Sequence, residues 1–272
     1  MIKHLLFSAV LSLASALPIS PAAAGVDDLA RNAQVDVLSG WRDASGQHVA
    51  ALRVRLAPGW KTYWRAPGEG GIPPRFSWAG SRNIKSVGFH WPVPEVFDQN
   101  GMQSIGYKHE LILPILIAPR NAGAPIAMRG EVEIGVCLDI CMPLTVRLSA
   151  DLPAGGARDP KITAALANRP ATQAEAGVRR VTCSAEPIRD GLRFSADVTM
   201  PALGHDEVAV VELSDQTVWI APTMTQRTGG QLLASTEMVP ANAAPFLLDR
   251  SDVRITVLGK GRAVDIQGCA AG

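Results

Sequence analysis

Short runs of alternating apolar and polar residues dominate the chain between Val35 and Leu152. Each run has about the length of one strand, and Gly, Pro or Asn lies close to its ends. A helical period of 3.6 residues is almost absent from this part of the sequence. The pattern predicts a β-sandwich over residues 25–152, built from the runs VDVLSGW, HVAALRVRLA, VGFHW, ELILPILIA, VEIGV and LTVRLSADL.

The character of the sequence changes over residues 153–177, which are rich in Gly and Ala and lack strand alternation. We interpret this segment as a linker with one short helix, because Asp159 can cap a helix, Pro160 suits its first turn and Pro170 follows it. Alternating runs then resume, and they predict a second β-sandwich over residues 178–272. The expected fold class is therefore all-β, with two sandwich domains joined by a linker.

The N-terminus has the features of a secretory signal peptide over residues 1–24. Lys3 precedes an apolar run that is too short to span a bilayer, and small residues end the segment, so we expect cleavage near Ala24. No later stretch has 18 uninterrupted apolar residues, so we predict no membrane span in the mature protein. Export implies an oxidising environment, where the four cysteines of the chain can form two disulfides.

The charge balance argues against nucleic acid as a partner. The chain has 26 basic and 25 acidic residues, and Lys3 leaves with the signal peptide, so the mature protein is neutral. The histidines are scattered, and there is no GxSxG elbow or phosphate loop. The sequence therefore gives no support to hydrolase chemistry, and the remaining candidates for chemistry are the cysteines.

Cys137 and Cys141 are separated by three residues, between two runs that both alternate. In a straight strand their Cα atoms would be about 13 Å apart, whereas a disulfide needs them within about 7 Å. A hairpin with residues 138–140 at its tip would place the two cysteines opposite each other, at about 4.5 to 5.5 Å. The sequence therefore predicts a hairpin that a disulfide can close at its neck.

The two cysteine pairs close rings of very different size. A loop of about five residues at Cys137 and Cys141 gives roughly 2 kcal/mol of stabilisation in the chain-entropy model, whereas about 87 residues between Cys183 and Cys269 give roughly 4.6 kcal/mol. We therefore interpret Cys183–Cys269 as a structural disulfide. The smaller ring is at a loop tip, where a disulfide is easily reduced, and we interpret it as redox-active.

No Lys, Arg or His lies within five residues of either Cys137 or Cys141, and Asp139 lies between them. A nearby carboxylate disfavours a thiolate, so the pair is expected to receive electrons from an incoming thiolate rather than to attack spontaneously. A Cu(I) site formed by Cys137, Cys141 and Met142, with Met102 as a further candidate ligand, is the alternative of the binding class. A non-catalytic interaction domain whose short disulfide never cycles is a third alternative.

Three motifs occur in order between about residues 50 and 150. They are LAPGWKTYWRAPGEGGIPPRFSW, FHWPVPEVFDQNGMQSIGYKHELILPILI and VEIGVCLDICMP. Over this region the chain resembles the N-terminal periplasmic region of the DsbD and ScsB family of thiol:disulfide reductases. The short CxxxC spacing and the second β-domain make the ScsB-like branch the closer comparison.

The resemblance implies an immunoglobulin-like sandwich whose cysteines relay electrons, so that the protein would work as a thiol:disulfide oxidoreductase-like module in the periplasm, without a cofactor. Cys137 and Cys141 would be the catalytic pair, with Cys141 forming mixed disulfides. Phe97, in VFDQNGM, would cap the disulfide, and Tyr107 would form a nearby wall. We expect the stretch that carries Tyr63 to be scaffold or partner surface.

The family's long members also contain a transmembrane region and a thioredoxin-like domain, and this sequence has neither. The implied partners are therefore a separate membrane-embedded thiol reductant as electron donor and a thioredoxin-like periplasmic oxidoreductase as acceptor.

Overall fold

A computed structural model describes residues 31–99, 101–241 and 246–272. The predicted signal peptide, residues 1–24, lies outside the described residues. Within them, no helix has both the length and the apolar character needed to cross a bilayer.

Ten strands build the N-terminal half of the described chain. In chain order they are β1 (Ala33–Arg42), β2 (His48–Leu56), β3 (Lys61–Gly68), β4 (Arg75–Ser77), β5 (Ile84–Phe89), β6 (Glu95–Gln99), β7 (Met102–Lys108), β8 (Glu110–Pro119), β9 (Ile126–Cys137) and β10 (Cys141–Leu152). One sheet has the order β1-β2-β8-β5, and the other has the order β10-β9-β3-β7-β6, with β4 paired to β9.

The inward faces of these two sheets share one hydrophobic core. Alternate residues of β8 and β9 enter it, as the period of two predicts, and Trp64 of β3 is fully buried there. The side chains on the outward face of the larger sheet do not take part in this core, and the cysteine pair lies on that outward face.

The predicted helix is present as α1 (Pro160–Ala167). The side chain of Asp159 accepts hydrogen bonds from the backbone N–H groups of Lys161 and Ile162, and Pro160 begins the first turn. Ile162 is fully buried against a small cluster on β1 and β2 that includes Trp41. The helix thus packs on the first sandwich, although it belongs to the segment predicted as a linker.

Ten further strands follow the helix. They are β11 (Ala171–Thr172), β12 (Arg180–Ile188), β13 (Gly191–Thr199), β14 (Val208–Glu212), β15 (Val218–Ile220), β16 (Met224–Thr228), β17 (Gln231–Pro240), β18 (Arg254–Gly259), β19 (Arg262–Gln267) and β20 (Ala270–Ala271). The sheet orders are β11-β19-β18-β14 and β15-β17-β13-β12-β20, with β16 paired to β17. The predicted all-β class with two sandwiches is confirmed. Strand β11 comes from the segment interpreted as a linker, and it extends the second sandwich by parallel pairing with β19.

The two sandwiches are joined by a polar clamp and by apolar contacts. The guanidinium of Arg65, on β3, donates two hydrogen bonds of 2.9 Å to the carboxylate of Glu212 and one of 3.2 Å to the hydroxyl of Thr256. Leu258 and Ala263 of the second sandwich pack into the core cluster of the first. A bidentate pair of this kind is held in one geometry, so β3 is anchored at this point by the other half of the molecule.

Cys183 and Cys269 form a disulfide with their Cα atoms 5.8 Å apart. Cys183 is buried on β12, and Cys269 immediately precedes β20, which pairs in parallel with β12. The bond therefore links β12, the first long strand of the second sandwich, to the residue before β20, its last strand.

Replacing both Cys183 and Cys269 by Ser should lower the free energy of unfolding by about 2–5 kcal/mol, because the unfolded chain gains the entropy of a long open loop. Denaturant unfolding under oxidising conditions measures this difference. The matched control replaces Cys137 and Cys141 by Ser and should cost about 2 kcal/mol or less. An equal or larger loss in the control would contradict the structural interpretation of the longer bridge.

Candidate functional site

The hairpin formed by β9 and β10 carries the first cysteine pair. Strand β9 ends at Cys137 and β10 begins at Cys141, and the two residues are direct partners in the antiparallel register. Their Cα atoms are 4.2 Å apart and their sulfurs are joined. Leu138 and Ile140, at the tip, are 43% and 73% exposed. The structure thus contains the hairpin neck that the sequence predicts.

The two sulfurs have different access to solvent. Cys137 is only 1% exposed, whereas Cys141 is partly exposed. A nucleophile must approach a disulfide along its S–S axis and reach the sulfur that it attacks. Cys141 is therefore the more exposed residue of the pair, and its role as the attacked sulfur stays a prediction.

Tyr63 of β3 contacts the exposed member of the pair. Its hydroxyl lies 2.7 Å from Sγ of Cys141 and 3.3 Å from the carbonyl oxygen of Gly70, which is itself 3.5 Å from the same sulfur. Burial raises the pKa of Tyr63 to about 12, so the phenol keeps its proton and can donate to sulfur. The sequence predicts scaffold or partner surface for this stretch, whereas the structure places Tyr63 at the disulfide.

Two glycines make the space for the Tyr63 ring. A Cβ atom at Gly135 would lie 2.6 Å from Cδ2 of the ring, and one at Gly71 would lie 2.8 Å from Cδ1. Gly135 belongs to β9 and Gly71 to the loop after β3, so the ring is held between the sheet and this loop. The run of glycines in GEGG was the available sequence signal, since glycine is used where a group must approach the backbone closely.

Phe97, the predicted cap, lies on β6 and faces the same side of the sheet as the cysteines. It opposes Ser104 of β7, which shares a face with Lys108 by strand alternation. Its ring is buried and lies 5.3 Å from Nζ of Lys61 and 4.5 Å from Nζ of Lys108. Lys61 is the direct register partner of Cys137. Lys61 therefore connects Phe97 to the buried cysteine, since it is near the ring of the one and pairs with the other. The capping role of Phe97 stays a prediction.

Tyr107, the predicted wall, is not brought to the disulfide. It opposes Thr62 rather than Lys61, so its side chain lies on the inward face of the sheet and belongs to the hydrophobic core. Its hydroxyl donates a 2.9 Å hydrogen bond to the carbonyl of Pro92, and its ring stacks on Trp91. The reason is strand alternation, which turns residues 107 and 108 to opposite faces.

Alternation also separates Met142 from the cysteines. Met142 opposes Val136, a core residue, and packs against the core cluster on the inward face. It therefore does not join Cys137 and Cys141 as a third ligand for Cu(I). Met102 is half exposed and lies beside the loop that carries Gly70, since a Cβ atom at Gly70 would be 3.8 Å from the Cβ atom of Met102.

Replacing Tyr63 by Phe should raise the pKa of the Cys141 thiol by about one unit, because a hydrogen bond to a charged group contributes about 1.5–3 kcal/mol. Thiolate absorbance against pH in a Cys137→Ser background measures this change. The control is Tyr107→Phe, which alters the only other tyrosine of the chain, on the inward face. An equal rise in both variants would show that the Tyr63 hydroxyl has no specific effect on the sulfur.

Both tyrosines should resist ionisation in the folded protein. Burial raises the pKa of Tyr63 to about 12 and that of Tyr107 well above its ordinary value of 10.0. Because the folded pKa exceeds the unfolded one, their contribution to stability is complete below about pH 10 and is lost as the pH rises towards 12. Tyrosinate absorbance should therefore stay near zero at about pH 10 in native protein and reach half of its maximum in denatured protein. A half-maximal native signal there would contradict the burial of both phenols.

Comparisons with known proteins bear on the family and the fold. Residues 31–153 match the family model described as the N-terminal part of the thiol:disulfide interchange protein DsbD. The crystal structure of the N-terminal periplasmic domain of ScsB from Proteus mirabilis is similar, with 22% sequence identity and a TM-score of 0.63, over 88% of this chain and 92% of that one. No curated protein sequence matches. The fold of this chain is thus similar to that of the ScsB domain, and residues 31–153 match the family model of the DsbD N-terminal part.

Proposed function

We propose that the protein is a thiol:disulfide exchange module that relays electrons through Cys137 and Cys141. The observation that carries this proposal is the unequal environment of the two joined sulfurs. Cys137 is shielded, whereas Cys141 is partly exposed and has the Tyr63 hydroxyl 2.7 Å from its sulfur. A disulfide that only stabilised the fold would need neither the accessible sulfur nor the proton donor beside it.

In the reducing half-reaction, a thiolate of the donor attacks Sγ of Cys141. A bond forms between the donor sulfur and Cys141, the bond between Cys137 and Cys141 breaks, and its electron pair leaves on Cys137. A second thiolate of the donor then attacks its own mixed-disulfide sulfur and releases Cys141 as a thiolate. The donor dithiol is oxidised to a disulfide, and the protein has gained two electrons.

In the oxidising half-reaction, the thiolate of Cys141 attacks a disulfide of the acceptor. Tyr63 donates its hydroxyl proton to this thiolate in a hydrogen bond, which favours the charged, nucleophilic form. Cys137 then attacks Cys141, restores the internal disulfide and releases the reduced acceptor. Both electrons travel in the cysteine pair, so the reaction needs no cofactor.

The surface around Cys141 supports exchange with another protein rather than with a small thiol alone. Leu138, Ile140 and Met102 are 43%, 73% and 50% exposed, and they surround the hairpin tip and the Gly70 loop. Exposed apolar side chains grouped at one site are typical of a binding surface. A partner that covers them would also exclude water from the reacting sulfurs.

The similar proteins support a proposal for the partners and the compartment. The matching family model is described as a thiol:disulfide interchange protein, and the similar ScsB structure is a periplasmic domain. These similarities support our proposal that the protein works in the periplasm, with a membrane-embedded thiol reductant as donor and a thioredoxin-like oxidoreductase as acceptor. The second sandwich has a structural or docking role in this scheme.

Trapping of the mixed disulfide tests the proposal. In Cys137→Ser the resolving thiol is missing, so a partner that reacts with Cys141 should stay covalently attached and be identified by mass spectrometry from the periplasm. The matched control, Cys141→Ser, should trap at least about tenfold less, because attack on or by the shielded Cys137 is hindered.

Two results would contradict the proposal. One is equal trapping by both variants, which would remove the distinction between the two sulfurs. The other is a disulfide that stays oxidised in a dithiol buffer poised at about −300 mV, since a reduction potential below that value is typical of a structural disulfide.

A further inference from the structure

A buried lysine lies directly beside the shielded cysteine. Lys61 of β3 and Cys137 of β9 are partners in the antiparallel register, and their side chains lie on the same face of the sheet. The Cβ atoms of such a pair are about 4.5–5.5 Å apart. Lys61 is 7% exposed and Cys137 is 1% exposed, so solvent screens the interaction between them only weakly.

A second lysine and an aromatic ring hold positive charge on this face. Lys108 opposes Lys61 across β3 and β7, and both ammonium groups lie near the ring of Phe97, at 4.5 Å and 5.3 Å from its centroid. Such contacts stabilise a cation over the face of an aromatic ring. Burial and the charge of Lys108 lower the pKa of Lys61, which means that a negative charge arising beside Lys61 would relieve both penalties.

The carboxylates near the site lie farther out than the two lysines. Glu95 of β6 pairs with Lys108 at 3.8 Å, and both side chains are about half exposed. Asp139 is exposed at the hairpin tip. Glu133, four residues back along β9 and about 13 Å away, faces Arg75 at 4.0 Å. The charges closest to Cys137 within the sheet are therefore positive, and the nearest ionisable neighbour on β3 besides Lys61 is the protonated Tyr63.

We propose that Lys61, with Lys108 behind it, stabilises the thiolate that forms on Cys137 when Cys141 is attacked. The inference rests on the proposed exchange function and deepens it, because it assigns the leaving group. As the bond between the two sulfurs breaks, its electron pair moves to Cys137, and the ammonium of Lys61 balances this charge without any proton transfer. A leaving thiolate of lower pKa leaves faster.

Two residues of β3 would thus each stabilise negative charge on one of the two sulfurs. Tyr63 stabilises negative charge on Cys141, and Lys61 stabilises it on Cys137. Because Lys61 and Tyr63 are two residues apart, alternation puts both on the disulfide face. Lys61 acts on the neighbouring sulfur through its charge alone and forms no bond to the substrate. It is therefore a positioning residue and not a catalytic one.

The first experiment measures the pKa of the Cys137 thiol in a Cys141→Ser background, by thiolate absorbance against pH. Replacing Lys61 by Met keeps the apolar stem and removes the charge, and it should raise the pKa by about one unit or more. Lys61→Arg should return the pKa to within about half a unit of the starting value, because it restores the charge. No partner protein is required, so this result does not depend on whether exchange occurs.

The control removes a positive charge from the same hairpin at an exposed position. Arg147 on β10 is 92% exposed, and Arg147→Met should leave the Cys137 pKa unchanged. An unchanged pKa in Lys61→Met, no recovery in Lys61→Arg, or an equal shift in Arg147→Met would each overturn the inference.

The second experiment measures the reduction potential of the intact disulfide between about pH 5 and 9. Where both thiols stay protonated, Lys61→Met and the unaltered protein should have equal potentials. Above the Cys137 pKa the variant should become harder to reduce, by about tenfold in the exchange equilibrium, which is about 30 mV for two electrons. A pH-independent offset would indicate a packing effect and overturn the inference. A disulfide that no dithiol reduces would instead overturn the proposed function, while the thiol pKa would still report on Lys61.

Discussion

The site depends on the register of β9 against β10. Twelve consecutive residue pairs, from Leu152 opposite Ile126 to Cys141 opposite Cys137, fix this register. A slip of one residue would turn one cysteine to the inward face, because successive side chains of a strand point to opposite sides. The bond between the sulfurs is therefore available only as long as the whole hairpin keeps its alignment, and the hydrophobic residues of β9 that enter the core maintain it.

Strand β3 supplies the chemistry that the hairpin lacks. The hairpin itself offers two sulfurs, exposed apolar side chains and one carboxylate at its tip. Lys61 and Tyr63 come from a strand that lies more than 70 residues earlier. The different environments of the two cysteines thus arise in large part from the neighbouring strand.

The sequence predicted the parts of the structure that local patterns determine. The strands, the helix with its Asp159 cap and the hairpin neck follow from periodicity and from residue types that suit particular backbone positions. The positions of Tyr63 and Lys61 at the cysteines are not apparent from the sequence, because sheet pairing brings together residues that lie far apart along the chain. Tyr107 is near the cap segment in sequence, which suggests a place at the site, but strand alternation places it in the core.

Strand β3 has a second attachment, at Arg65 in the middle of the strand. Two residues after Tyr63, the guanidinium of Arg65 is bound by Glu212 and Thr256 of the second sandwich. The strand whose tyrosine contacts the sulfur of Cys141 is thus also one that joins the two sandwiches. The position of the Tyr63 ring beside Cys141 is therefore coupled to the contact between the two sandwiches, because both depend on the path of β3.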